Sequence, residues 1–251
     1  MTGDGARTTT ERTLAQRNAT ACIQSSKFWA PDGRGAMVSA RARFTSDGLE
    51  DEMKIAVLGF GNVGARLGKL WMQKGHQVTA GLREGSKGRQ KASDAGVSVA
   101  TPADAVKSAD VVVIALPWPA VEPALKTLSL DGKVVIDAVN PVAQDLSVQV
   151  PTAGSAAQTT AQLAKGARVV KAFNTISAAL MGDSTFDMMY CGDDAEGKKV
   201  VDRLIADTGM KPVDVGPLSN AHYLEQVAGL WRDLAVKGRI KGAFGFNLVT
   251  K

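Results

Sequence analysis

A chain of 251 residues, 45% hydrophobic and carrying a net charge of +5, has the apolar content for a buried core and the length for one large domain or two small ones. No run approaches the roughly 20 apolar residues that span a bilayer; the two cysteines, Cys22 and Cys191, suggest no disulfide framework; and two histidines without a Cys-x-x-Cys argue against structural zinc. The basic residues are dispersed with few aromatics among them, so a solvated surface and a local phosphate pocket account for the charge, and the expectation is a cytoplasmic protein with neither nucleic acid nor membrane as partner.

Residues 1–52 lack periodicity and are rich in Thr, Ser, Gly, Ala and Arg. Such a stretch buries too little surface to offset its ordering entropy, so a disordered N-terminal extension is expected, with an upstream start codon as one origin for it. It has no apolar run of the kind a secretory signal needs. Arg7, Arg12, Arg17, Arg41 and Arg43 faintly resemble a transit peptide, but Asp4, Glu11 and Asp32 oppose that reading. Residues 53–251 read as one compact domain without internal repeats.

That domain opens on Met53-Lys54-Ile55-Ala56-Val57-Leu58-Gly59-Phe60-Gly61-Asn62-Val63-Gly64, an apolar run ending in Gly-x-Gly-x-x-Gly and passing into a helical pattern through Met72. This is the strand, turn and helix of a dinucleotide-binding unit. Gly59 permits the turn, Gly61 admits a pyrophosphate close to the backbone, and Gly64 lets helix and strand approach. The amides of Asn62 and Val63 begin a helix whose free N–H groups and dipole favour phosphate.

Gly75 ends that helix, with His76 expected as a turn residue, and Gln77–Leu82 reads as the second strand. A helix through Lys91-Ala92-Ser93 and a strand at Val97–Val99 follow. Thr101 is the N-cap and Pro102 the first residue of the next helix. Asp110–Leu116 and Lys133–Asp137 are buried strands by their β-branched runs, with a helix beginning near Pro119 between them. Ser155–Lys165 is helical, Arg168–Lys171 and Phe186–Cys191 are strands, and Asp194–Asp207 carries a helical apolar stripe. Asp193-Asp194 reads as a cap and Cys191 as core. Lys211–Val215 is a last strand and His222–Lys237 a terminal helix. The alternation predicts an α/β fold, a Rossmann-type doubly wound, mostly parallel sheet with a C-terminal helix.

Arg83 stands just beyond the second strand, where a guanidinium grips a ribose 2′-phosphate, with Ser86 and Lys87 as further donors. One charge-assisted hydrogen bond contributes ~1.5–3 kcal/mol, roughly a ten- to hundred-fold preference for NADP over NAD. Glu84 is the competing feature, a carboxylate able to serve the ribose hydroxyls. Ligands in such sheets sit beyond the carboxyl ends of the strands. Leu116, Pro117 and Trp118 in one loop and Asn140 in the next are therefore candidate coenzyme residues, while Asn174 and Ile176 in a third are candidates for the substrate side. His222, at the start of the terminal helix, and Gln226 one turn on are further substrate candidates. No nucleophile–base arrangement or paired carboxylates are evident, and no catalytic side chain is assigned; hydride transfer asks mainly that donor and acceptor be held together away from water.

The Gly59–Gly64 motif, the Arg83 loop, Leu116-Pro117-Trp118, Cys191-Gly192-Asp193-Asp194 and Gly216-Pro217-Leu218-Ser219-Asn220 occur in this order. In this, residues 53–251 resemble the coenzyme F420-dependent NADP oxidoreductase family. The resemblance implies direct hydride exchange between NADP(H) and a deazaflavin, coenzyme F420, in a homodimeric cytoplasmic enzyme; a related domain passes NADPH electrons to flavin. Deazaflavin-using members tend to carry Arg, Ser and Thr along the start of the terminal helix, where this chain has His222, Gln226 and Ala228. That change removes a fixed positive charge and two hydroxyls from the acceptor end and leaves the coenzyme end intact. Two alternatives stay open: an imine reductase resembling pyrroline-5-carboxylate reductase, and an NADPH-binding sensor without turnover.

Overall fold

Short strands, the central ones runs of valine and isoleucine, assemble one eight-stranded sheet in a computed structural model that describes residues 52–143 and 147–249. All but the last residue of the expected N-terminal extension lie outside the described residues. The elements are β1 (Lys54–Leu58), α1 (Asn62–Gln73), β2 (Gln77–Gly81), α2 (Gly88–Asp94), β3 (Ser98–Ala100), α3 (Pro102–Ser108), β4 (Val111–Ile114) and α4 (Trp118–Leu125). There follow β5 (Val134–Asp137), α5 (Ala156–Leu163), β6 (Arg168–Lys171), β7 (Asp187–Gly192), α6 (Ala195–Asp207), β8 (Lys211–Asp214) and α7 (Ala221–Val236), with a turn of 3-10 helix at Leu218–Asn220 before α7.

The strand order is β3-β2-β1-β4-β5-β6-β7-β8. The first six strands are parallel, the doubly wound arrangement the alternation predicts. The β6–β7 pair is antiparallel, and β8 runs parallel to β7. The reason is the connection: a parallel neighbour needs a crossover, usually a helix, and the segment between Lys171 and Asp187 contains none.

Alternate residues of each strand feed two cores. Val57, Val113, Ile136 and Val170 face Leu67 and Trp71 of α1 and Val201, Leu204 and Ile205 of α6. Ala56, Leu58, Val112, Ile114 and Val135 face α3, α4, α5 and α7. Trp71 is fully buried; its indole N–H donates to the Leu204 carbonyl at 2.9 Å, and its ring meets Phe173 edge-on.

Several local expectations are met. Thr101 accepts from the Asp104 amide at 3.2 Å with Pro102 in the first helical position, Asp194 caps α6 through the Gly197 amide, and Cys191 is buried, which pushes its thiol up to about 12. His76 is a correction. It is a buried clasp rather than a plain turn residue: Nδ1 accepts from the Met53 amide at 3.2 Å, and Nε2 lies 3.0 Å from Asp207 at the end of α6.

Beyond α7 the chain turns back. Phe244 stacks on Trp231, whose indole N–H donates to the Phe244 carbonyl at 2.8 Å. Asn247 accepts from the Asp187 amide and donates to the Thr185 carbonyl, and the Leu248 amide donates to Asp187.

The β1–α1 turn is fixed by exclusion. Gly59 has φ +91°, and a Cβ on it would lie 2.6 Å from the Ala115 carbonyl oxygen. A Cβ on Gly64 would strike the Gly59 carbonyl and come within 2.9 Å of Val57, whereas one on Gly61 would meet nothing within 4 Å. Gly64→Ala is therefore expected to cost about 1–3 kcal/mol of stability, and Gly61→Ala to stay within about 0.5 kcal/mol of the parent. Urea denaturation of the two variants checks the contrast.

Candidate functional site

The carboxyl ends of β1, β2, β4 and β5 open into one cavity of about 1450 Å³. The β1–α1 turn brings Gly59, Phe60, Gly61, Asn62 and Val63 to it, and the loop after β2 brings Arg83, Ser86 and Lys87. Leu116, Pro117 and Pro119 enter from beyond β4, and Ala138 and Val142 from beyond β5. Helix α1 starts at this cavity with no side-chain cap and no acidic residue in its first turn. Its first amides are thus left for an anion, and the dipole adds to the attraction. Lys91 is a cation that sequence reasoning passed over. It projects from α2 into the same lining and donates to Asn62 Oδ1 at 3.1 Å.

Trp118 and Asn140 are not part of this lining. Trp118 begins α4 and packs against the core under that helix. Asn140 joins Asn174 and Ile176 around a second, smaller cavity of about 110 Å³, walled also by Ala228, Gly229 and Trp231 of α7. Val142 belongs to both cavities. His222 and Gln226 line neither. The His222 ring lies against Tyr223, with Nδ1 2.7 Å from the Ser219 carbonyl oxygen, and Gln226 is exposed.

Beneath the smaller cavity is a charged network that the sequence reading missed. Lys171, fully buried at the end of β6, donates from Nζ to Asp137 at 2.9 Å, to Glu225 at 2.9 Å and to the Val139 carbonyl. Asp137, fully buried at the end of β5, also accepts from the Val139 amide and from the Thr160 hydroxyl at 2.6 Å. Glu225 accepts from the Ala156 and Ala157 amides at the start of α5. Buried ions survive only when paired and fully hydrogen-bonded, and here each charge meets several partners. The only signals for the network were charged residues closing two apolar runs and a glutamate inside an apolar helical stripe.

The same network holds the loop beyond β5 in place. Val139 is fixed by both its amide and its carbonyl. Next to it, Asn140 Nδ2 donates to the Asn174 carbonyl at 3.0 Å, and Asn174 Nδ2 donates to Asn140 Oδ1 and to the Leu224 carbonyl, each at 3.0 Å. Among the described residues no His, Cys, Asp and Glu side chains are grouped to hold a metal ion, and no helix is long and apolar enough to cross a membrane.

Comparison with known proteins agrees with this geometry. The family described as NADP oxidoreductase, coenzyme F420-dependent, matches residues 54–141. The F420-dependent NADP reductase of Methanothermobacter marburgensis is 31% identical over 215 residues, covering 76% of this chain and 96% of that protein. The enzyme of the same description from Methanocaldococcus jannaschii is 29% identical over 214 residues, covering 76% and 96%. A crystal structure of a candidate F420-dependent NADP reductase from Arthrobacter sp. FB24 superposes with a TM-score of 0.67 at 26% identity, covering 79% of this chain and 100% of that one.

Burial opposes the charge on Lys171, but the Asp137 and Glu225 carboxylates outweigh it and raise its pKa above the ordinary 10.5. A raised lysine contributes stability that is whole below its ordinary pKa and lost as pH climbs through the raised value. Lys171→Met is expected to cost about 3–5 kcal/mol at neutral pH, because it leaves buried carboxylates uncompensated. The gap between parent and variant narrows only in alkali, and denaturant titrations from pH 7 upward read both effects.

Proposed function

The chain belongs to the coenzyme F420-dependent NADP oxidoreductase family and is an NADP-dependent oxidoreductase, and from that footing we propose that it passes a hydride between NADP(H) and coenzyme F420 or a flavin-like acceptor. The observation that carries the coenzyme half is the uncapped start of α1, facing the same cavity as Arg83, Lys87 and Lys91. An open helix N-terminus suits a pyrophosphate, and a cluster of cations one loop away suits a further phosphate. Open space at Gly61 leaves room for the close approach that the first of these requires.

In this reading Gly59, Phe60, Gly61, Asn62 and Val63 hold the pyrophosphate, and Arg83, Ser86 and Lys87 hold the 2′-phosphate. Leu116 and Pro117 wall the nicotinamide end, toward Val142 and the smaller cavity. Asn140, Asn174 and Ile176 form the acceptor end. His222, Gln226 and Trp118 have no part in it, since none of them lines either cavity. NADPH when bound supplies the hydride; the chain binds it, orients it and keeps water from the reacting pair. The enzyme works as a cytoplasmic homodimer in the same reading. The exposed apolar side chains Tyr223 and Leu230, seven residues apart and so on one side of α7, offer a face for the partner.

Two measurements test the proposal. Loss of NADPH fluorescence is followed with F420, FMN, FAD and an imine in parallel; turnover with F420 is expected, and turnover with the imine alone overturns the reading. Arg83→Glu is expected to weaken NADPH binding roughly ten- to hundred-fold while leaving NADH binding nearly unchanged, because only one of the two coenzymes carries the extra phosphate. Equal losses for both coenzymes would remove Arg83 from the 2′-phosphate site.

A further inference from the structure

The Asn174 amide has one orientation available to it. The Leu224 carbonyl is a pure acceptor, so it must face Nδ2 of Asn174. The second Nδ2 hydrogen goes to Asn140 Oδ1, and Asn140 is fixed in turn because its own Nδ2 donates to the Asn174 carbonyl. Turning the Asn174 amide over would set its oxygen against two acceptors. Its Oδ1 is therefore the atom left over, and among the described residues it is the buried side-chain polar atom without a hydrogen-bond partner.

Buried acceptors are almost always satisfied, and one left bare costs stability unless something arrives to meet it. Asn174 is 5% exposed and is one of the residues that line the smaller cavity. The other walls there include Pro141, Val142, Ile176 and Trp231, which offer apolar surface. The carboxylate of Glu225 at the same cavity is already taken by Lys171 and two amides. With Arg232 also in the lining, the site offers one fixed acceptor among mostly apolar walls, next to the cavity proposed for the coenzyme. At about 110 Å³ it takes one edge of a ring system rather than three fused rings.

We propose that Asn174 is a specificity-determining residue: its Oδ1 accepts a hydrogen bond from a ring N–H on the edge of the hydride acceptor. The chemistry it selects is an imide or lactam N–H flanked by carbonyls, as on the pyrimidinedione edge of deazaflavins and flavins. Quinones and ferric chelates lack this donor and leave the oxygen bare. Asn140 is the positioning partner that fixes the direction of the Asn174 oxygen. The inference rests on the acceptor reading above and adds to it the atom that recognises the acceptor.

The test uses the full chain, NADPH, and two probes: 8-hydroxy-5-deazariboflavin and its N3-methyl derivative. Steady-state rates and fluorescence titration are measured for both probes. Methylation is expected to raise KM and Kd about tenfold or more in the parent protein, because it removes the donor and leaves a buried oxygen unmet. Asn174→Leu is expected to bring the unmethylated probe to that same weak level and to abolish discrimination between the two, with NADPH affinity within about twofold of the parent. Equal binding of the two probes by the parent protein overturns the proposal, and so does discrimination that survives in Asn174→Leu. Should that variant fail to fold, the parent protein's own comparison of the two probes decides. Failure to bind or turn over the unmethylated probe sinks the deazaflavin reading and this inference together, whereas turnover without discrimination sinks this inference alone.

Discussion

A lysine with no access to water stands between two carboxylates, and three parts of the fold meet on it. Lys171 closes the parallel run of strands, Asp137 closes its neighbour, and Glu225 comes from the helix packed over the reversed part of the sheet. Replacing such a network with apolar groups of the same shape often costs little, so stability alone does not explain it. Its geometry offers a better account. Apolar side chains have no directional demands, but these charges fix the Val139 amide and carbonyl and the first amides of α5. The loop that carries Asn140 thereby inherits one conformation.

The end proposed for the coenzyme is built differently. There, shape comes from what is missing: no side chain at Gly59 or Gly64, where a Cβ would collide, and none at Gly61, where it would stand in the open cavity. Close backbone approach and an open helix terminus make a phosphate site with few side-chain commitments. In the proposed reading the cations beside it decide between related coenzymes. One end of the site thus rests on steric exclusion and the other on a buried ion network, with Val142 common to the two cavities.

The parts of this arrangement that were legible in the sequence are local. The glycine spacing, the Thr101 and Asp194 caps and the β-branched runs each act over a few residues, and each appears in the structure where it was expected. The ion network was not legible because its members lie 34 and 54 residues apart and meet only through strand pairing and helix docking. The reversal at β7 was hidden for a similar reason: it comes from a connection that lacks a helix, and an absence is hard to weigh in a run of alternating elements. His76 looked like a turn residue because its partners, Met53 and Asp207, are 23 and 131 positions away. Of the three positions on the terminal helix that the resemblance singles out, His222 and Gln226 line neither cavity, whereas Ala228 lines the smaller one together with Gly229 and Trp231.

Trp231 serves two structures with one indole. The residue lines the smaller cavity, and its ring carries the stacked Phe244 and bonds to the Phe244 carbonyl. The last described residues are fastened in turn to Thr185 and Asp187 at the edge of the sheet. On the proposed function, fraying or carboxypeptidase trimming from that terminus would therefore loosen the acceptor wall first, while the glycine turn at the opposite end of the site kept its grip on nucleotide. A preparation clipped in this way would still be retained on an immobilised-coenzyme resin after it had ceased to turn over.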